Sequence, residues 1–500
     1  MEEKLQRFKY LLNELADLGN AIALLGWDQQ TYMPAGGAED RGNTMATLSR
    51  LAHEKFTSDE MGRLIAELAP YANTLDADAV DACLVRAVRE RYDKQTRVPG
   101  DWVVENAKTT TLAHQTWEKA RADKNFELFR PHLEKIIDLR RRYAGFFQPY
   151  DHAYDPLLDN FERGMKTVEV QAIFNELRPK QVEIIRAIAE RPQVDDSFLH
   201  QPFSEKDQWD FGVDVITRFG YDWNHGRQDK AVHPFCTNFG IGDVRITTRV
   251  DANWLNPALF GTMHETGHAL YEMGIDRALA RLPLANGASM AVHESQSRMY
   301  ENLIGRSLPF WKYTYPRLQA VFPSQLGNVP LETFYKGINK VQPSFIRVEA
   351  DEATYNLHIM LRLELEIALM EGSLEAANLP EAWNSRVQEY LGISPPDDAL
   401  GVLQDVHWSS GLIGYFPTYA LGNLVSVQLW EAMLSDMPDL EEQIERGEFS
   451  GILAWLREKV HRHGMKYPPQ DLIERVTGSK INPQPYLRYL KAKFGEIYAL

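Results

Sequence analysis

Cysteine is all but missing from this chain: Cys83 and Cys236 are the only two in 500 residues. A disulfide framework is thereby excluded, and two structural thiols in a reducing compartment are the simpler expectation. Long apolar runs are missing too. Nowhere do about 18 uninterrupted apolar residues occur, the length a membrane-spanning helix requires. The opening stretch MEEKLQRFKYLLNEL is charged and amphipathic, without the apolar segment of an export signal. A cytoplasmic protein with no membrane partner is expected. Positive charge is in short supply: 54 Lys and Arg stand against 70 Asp and Glu, for a formal net charge of -16. A nucleic-acid surface needs clustered cations to displace counterions, so no nucleic-acid partner is expected and an acidic enzyme acting on small or peptide substrates fits better. Repeats, low-complexity tracts and long flexible linkers are absent as well, which favours one continuous unit over a string of modules.

What is abundant is helical periodicity. Leu5, Phe8, Leu12, Leu15, Leu18, Ile22 and Leu25 fall three or four apart and stack on one face, and similar stripes recur to the C-terminus. The segment YNLHIMLRLELEIALMEG (355–372) is ambiguous, because Leu361, Leu363, Leu365, Ile367 and Leu369 alternate as in a strand. Its length without a breaker and its Leu, Met, Arg and Glu content favour a buried helix. The one convincing strand is DVRITTRV (243–250), rich in β-branched residues after a glycine turn. Gly, Pro, Asn and Asp clusters mark loops at 97–101, 233–243, 392–401 and 478–486, and WDQQTYMPAGGAEDR (27–41) reads as a rim loop. The expected architecture is a single, mainly α-helical domain over residues 1–500, in two lobes, with a small β element.

The stretch GTMHETGHALYEMG (261–274) carries His264, Glu265 and His268 in H-E-x-x-H spacing. Asn256 as N-cap, Pro257 at the first helical position and Gly274 at the far end frame it as a helix. Residues four apart are turned by about 400°, so both imidazoles project from one face, close enough to share one ion. Glu265 points about 100° away. There, beside the ion, a carboxylate takes a proton from the attacking water and later passes it to the leaving amine. A solvated helix face with two histidines is the plain alternative, and a third ligand decides between them. The metzincin extension needs Gly three and His six residues after the second histidine; Tyr271 and Gly274 stand there instead. The third ligand must therefore come from another element. Glu294, in AVHESQSRMYEN (291–302), leaves room for a turn and a second helix packed antiparallel, and its carboxylate would complete a His2Glu site with one position open for water. On the same segment His293 is a rival ligand facing another direction, and an i,i+4 salt bridge with Arg298 is the other use for Glu294.

The chain resembles the metallocarboxypeptidases of the carboxypeptidase Taq type, family M32, also called thermostable carboxypeptidase 1. The resemblance rests on motifs in the family's order: HPF (233–235), DVRIT (243–247), HETGH (264–268), HESQSR (293–298), IRVEAD (346–351) and GVLQDVHW (401–408). It implies a mostly helical fold with a deep groove between two lobes, similar to neurolysin and angiotensin-converting enzyme, the motif-bearing region being residues 233–425. It further implies His264, His268 and Glu294 as ligands of one zinc ion, with cobalt serving in some members, and Glu265 as general base and acid. Peptide substrates with a free C-terminus and a homodimer are implied as well.

An enzyme that removes only the last residue must hold a free carboxylate, which a guanidinium does bidentately. Arg347 is the candidate by its place in the I-R-x-x-A-D motif; an ion pair with Glu349 or Asp351 is the other reading. The developing oxyanion needs donors besides the metal. The segment DVHWSSGLIGYFPTYALGN (405–423) offers His407, Tyr415 and Tyr419, similar to the His-then-Tyr loop of related helical zinc peptidases, although the tyrosines also read as amphipathic core residues. Arg245 and His233 either contact the substrate or belong, with Asp243, to a polar network holding the strand. The expected activity is zinc-dependent release of C-terminal amino acids from peptides, with broad specificity, by water on the metal activated by Glu265. An endo-acting zinc oligopeptidase and a catalytically idle helical peptide-binding scaffold are the competing readings.

Overall fold

The computed structural model describes residues 1–500. Twenty-one α-helices, short 3-10 turns and three strands make up the chain, so the expectation of a mainly helical protein with a small β element holds. The apolar stripes close on two separate cores. One, of 101 buried residues, begins at Ala113 and runs to Tyr498. The other, of 20 residues, joins the helices Glu2–Thr31, Asp59–Ala72 and Val80–Arg97 to Ile241 and to apolar residues of 275–284. No helix is long and apolar enough to cross a membrane.

Three sequence readings are corrected. The first helix continues to Thr31 and, after a 3-10 turn at Ala35–Gly37, the next spans Ala38–Phe56, so the break read at 27–41 shrinks to the residues around Pro34. Burial of Trp27 explains the extra length: Arg245 and Arg227 lie 4.4 and 5.2 Å from its ring, holding the end of the helix against the sheet. The strand read at 243–250 is shorter, β3 (Val244–Thr248), and two strands went unread, β1 (Gly226–Lys230) and β2 (Cys236–Asn238), the latter inside the predicted loop 233–243. The sheet order is β1-β3-β2, with β1 parallel and β2 antiparallel to β3. Polar GRQDK and CTN lack a strand pattern of their own; pairing with the apolar β3, where Val244 and Ile246 are fully buried, makes them strands.

The ambiguous segment is the helix Tyr355–Glu371. Residues on every side of it are buried, Met360, Arg362 and Glu366 as well as the alternating leucines, and a helix enclosed all round shows no period of its own. This leaves four polar side chains, Asn356, His358, Arg362 and Glu366, deep in the larger core.

Candidate metal centre

The H-E-x-x-H segment is the helix Asn256–Gly274, ending at Gly274 as expected. Its start differs from the reading. Leu255 already has helical dihedrals (φ -70, ψ -38), so the turn begins before Asn256, whose buried side-chain oxygen caps nothing. Thr262 Oγ1 donates to Thr248 Oγ1 over 3.0 Å and fastens the helix to β3. The partner helix, Met290–Arg298, starts under a cap in which Ser289 Oγ accepts from the Val292 amide at 3.1 Å. It runs on into a π-helical turn, Met299–Ile304, of the kind that gathers at functional sites. Two glycines let three helices close on this region. A Cβ on Gly267 would lie 2.4 Å from the Gln296 carbonyl oxygen, and one on Gly422, in the helix Pro417–Asp436, would lie 2.6 Å from Glu294 Cβ and Cγ. The Glu294 helix is thus wedged between the other two.

That wedge brings the predicted ligands together. Glu294 Oε2 stands 3.6 Å from His264 Nε2 and 3.5 Å from His268 Nε2, and the three ligand atoms lie within 4.8 Å of one another. Tetrahedral zinc with bonds of about 2.0–2.1 Å separates its ligands by about 3.3 Å, so the triad fits one such ion with little adjustment, and its nitrogen and oxygen donors suit zinc. The salt bridge read for Glu294 is present as well: its other oxygen, Oε1, accepts from Arg298 Nε at 2.7 Å. The two uses coexist because a carboxylate has two oxygens.

His293 lies outside the candidate triad. Its Nδ1 is 2.6 Å from His268 Nδ1 and its Nε2 is 2.7 Å from Glu272 Oε1. With Nε2 of His268 turned to the metal position, the network assigns a proton on His268 Nδ1 donating to His293, and one on His293 Nε2 donating to Glu272. On the other side His264 Nδ1 donates to Glu301 Oε2 at 2.8 Å, and Arg298 Nη1 donates to the same oxygen at 3.2 Å. Sequence reasoning missed Glu272 and Glu301. The signal was there: Glu272 is one turn beyond His268 and Glu301 two turns beyond Glu294, on the ligand faces.

Those outer partners set the electrostatics. Burial depresses His264, but the carboxylates of Glu294, Glu301 and Glu265 outweigh it and lift the imidazole to about 9. His268, backed by an imidazole instead of a carboxylate, falls to about 3, chiefly through burial. Burial raises Glu265 to about 7, Glu294 and Glu301 assisting against the pull of His264. Burial acts against ionisation of Glu294 as well, but Arg298 and the two histidines hold it well below the usual carboxylate range.

Next to the triad, Arg298 lies 4.4 Å from the ring of Tyr355, whose hydroxyl accepts from Arg347 Nη1 at 2.9 Å. Arg347 is buried and pairs with neither Glu349 nor Asp351. Its Nε and Nη2 donate to Asp405 Oδ1 at 3.0 and 2.9 Å. Asp351 instead accepts from backbone amides of 342, 353 and 354, and shapes the turn that presents Arg347. His407 Nε2 stands 3.3 Å from the Tyr419 hydroxyl, and burial keeps the imidazole neutral, at about 4. Tyr415 packs on His407 and Tyr419 with ring centroids 5.5 and 5.3 Å away, and the charge of Glu294 reaches both tyrosines. Arg245 and His233 are not linked to the triad by any hydrogen bond or ion pair. Arg245 is bound to Asp243 through two hydrogen bonds of 2.9 and 2.8 Å and packed between Trp27 and Phe239; His233 is exposed. Cys83 and Cys236 are both free thiols.

The sequence model of the family described as carboxypeptidase Taq (M32) metallopeptidase matches residues 7–494. Carboxypeptidase 1 of Bacillus subtilis is 40% identical over 496 residues, 99% of either chain. Thermostable carboxypeptidase 1 of Thermus thermophilus is 41% identical over 495 residues, 97% of either chain. Among solved structures, the M32 carboxypeptidase from Deinococcus radiodurans superposes with a TM-score of 0.97 at 40% identity, covering all of both chains. With the helices, the triad and these full-length likenesses agreeing, the chain belongs to the carboxypeptidase Taq (M32) family of metallopeptidases.

Proposed function

We propose that this metallocarboxypeptidase releases C-terminal residues from peptides of broad sequence, with His264, His268 and Glu294 holding one zinc ion and Glu265 serving as general base and then general acid. The observation that carries the reading is the convergence of three potential ligand atoms within 4.8 Å of one another, with Glu265 buried on the same helix. A divalent ion bound there acidifies water and polarises the scissile carbonyl. Glu265, close to 7 before the ion's field is added, takes the proton of the attacking water and returns it to the departing amine. Arg347 binds the terminal carboxylate of the substrate through the N–H groups that Asp405 and Tyr355 leave free. Neutral His407, with Tyr415 and Tyr419, supplies hydrogen-bond donors to the oxyanion. His233, exposed and unpaired, is a contact for the substrate chain, whereas the contacts of Arg245 favour its holding the sheet to the first helix.

The two separate cores support a two-lobed domain over the whole chain, with the groove between the lobes as in neurolysin-like peptidases. A cytoplasmic homodimer accords with the family and with the absence of an apolar spanning helix. The test is product analysis on mixed peptides carrying either a free or an amidated C-terminus, with and without a chelator. Stepwise loss of single residues from the free-acid peptides, little from the amides and none after chelation is the expected result. Internal cleavage regardless of the terminus would assign an endopeptidase instead.

A further inference from the structure

Asp405 serves two guanidinium groups. Its Oδ1 accepts from Arg347, and its Oδ2 accepts from Arg362 Nε at 2.7 Å. The Arg347, Arg362 and Asp405 side chains are 7%, 0% and 11% exposed, so water screens none of them. The histidines that flank the cluster are neutral. His358 is fully buried with both ring nitrogens unpartnered, and burial together with Arg362 and Arg347 keeps it uncharged. His407 is neutral, Tyr355 and Tyr419 present rings and hydroxyls, and Arg362 rests 4.5 Å from the ring of Trp383. Glu366, one turn further along the helix, is raised to about 7 by burial against the donors Tyr154, Gly414 and Trp408 Nε1 and the charge of Arg362, with which it forms no direct ion pair. In direct contact, then, two guanidinium groups share one carboxylate, and that ion-paired trio carries an unbalanced positive charge.

Positioning Arg347 does not call for the second arginine, because Asp405 Oδ1 alone already takes two of its N–H groups. A buried charge without a counter-ion is costly to keep. Such a charge persists where an anion arrives to meet it. We propose that Arg362 is a positioning residue for substrate recognition: it neutralises Asp405 from the closed side of the cluster, so that Arg347 keeps a net positive charge for the terminal carboxylate of the peptide. This rests on the reading of Arg347 as the carboxylate clamp. Without Arg362 the Arg347–Asp405 pair is neutral overall, and the incoming carboxylate meets Asp405 as a repulsive neighbour.

The experiment compares Arg362→Gln, which keeps a hydrogen bond to Asp405 without the charge, with Arg362→Lys, which keeps the charge. Both are assayed as zinc-loaded enzymes on one peptide as free acid and as C-terminal amide, alongside the parent and Arg347→Met. The Gln variant should raise KM for the free acid by about tenfold or more while kcat moves less than about threefold, the mark of lost ground-state binding. The Lys variant should return KM to within about threefold of the parent. Binding of an N-acetyl amino acid, a product mimic with a free carboxylate, to the metal-free proteins should weaken in the same order, a readout independent of turnover. Parental KM in the Gln variant, or equal losses in Gln and Lys, would overturn the proposal and leave Arg362 a packing residue. Should the parent cleave acid and amide alike, or Arg347→Met leave that preference intact, the clamp reading itself fails. Acid preference that depends on Arg347 and ignores Arg362 defeats only the inference drawn from Arg362.

Discussion

Arg298 holds one oxygen of Glu294 at 2.7 Å while the other oxygen of the same carboxylate faces both histidines. Their side chains are only 13% and 8% exposed, so this pair differs from the chain's many surface ion pairs, each worth about 0–1 kcal/mol. Arg298→Met is expected to free the Glu294 carboxylate to rotate and to weaken zinc binding about 10–100-fold, the usual loss when an outer partner of a ligand is removed. Chelator competition measures it; unchanged affinity would mean that helix packing alone orients Glu294.

Glu265→Gln should leave zinc stoichiometry at that of the parent, because residue 265 is not among the three side chains proposed to hold the ion. Turnover should fall by about 10²–10⁴-fold, the range for losing a general base. Metal analysis beside steady-state kinetics separates the two effects.

Zinc affinity should depend on pH through His264. In the metal-free protein this imidazole titrates at about 9, so zinc must displace a proton from it at any lower pH. The apparent dissociation constant should therefore rise about tenfold for each unit of acidification between pH 8 and 6. Glu301→Gln removes one of the carboxylates that raise His264 and should flatten that slope near neutrality. Titration with a chromophoric chelator at a series of pH values reads both curves.

Gly422→Ala places a methyl group 2.6 Å from the Glu294 side chain. In an open helix the exchange would stabilise, since Ala is the better helix former by about 1 kcal/mol. Here overpacking should win, costing about 1–3 kcal/mol and displacing a ligand. A lower melting temperature together with weaker zinc binding is expected; a stabilised protein with parental affinity would show that the two helices can separate freely.

His461 is fully buried, its Nε2 2.9 Å from Gln296 Oε1, and burial, with Arg457 and His293 acting in the same sense, takes it down to about 3. Its folded value lies below the unfolded value of about 6.5, so between the two the unfolded chain binds more protons and stability rises with pH. The contribution is whole above about pH 6.5 and is lost as pH falls toward 3. His461→Gln should flatten the acid limb of the stability curve of the metal-free protein by about 1 kcal/mol per pH unit below 6, measured by denaturant unfolding.

Much of the metal centre was legible because helix geometry is local. His264, Glu265 and His268 stand in one turn, and their relative directions follow from 3.6 residues per turn whatever the rest of the chain does. Glu272 and Glu301 obey the same rule, standing one turn beyond His268 and two turns beyond Glu294. Asp405 was not legible as the partner of Arg347: the two are far apart in sequence, and nearer carboxylates at 349 and 351 offered simpler pairings. Arg362 was hidden differently, as one cation in a leucine-rich run whose enclosure on all sides erased its periodicity. Strands β1 and β2 were missed because their pairing partner, not their own residues, makes them strands.

By itself the amino-acid sequence determined the helical class, the two imidazoles on one helix face, the carboxylate beside them and the series of motifs that marks the family. These are properties of short windows, where backbone geometry converts spacing directly into direction. Only the tertiary structure decided that Glu294 faces both histidines with one oxygen and Arg298 with the other, that His293 backs His268 and turns away from the triad, and that Arg347 and Arg362 share a single carboxylate. Each of those outcomes depends on which side chains meet after helices distant in sequence have packed, and packing is settled by burial and steric fit across the whole core, as at Gly267 and Gly422.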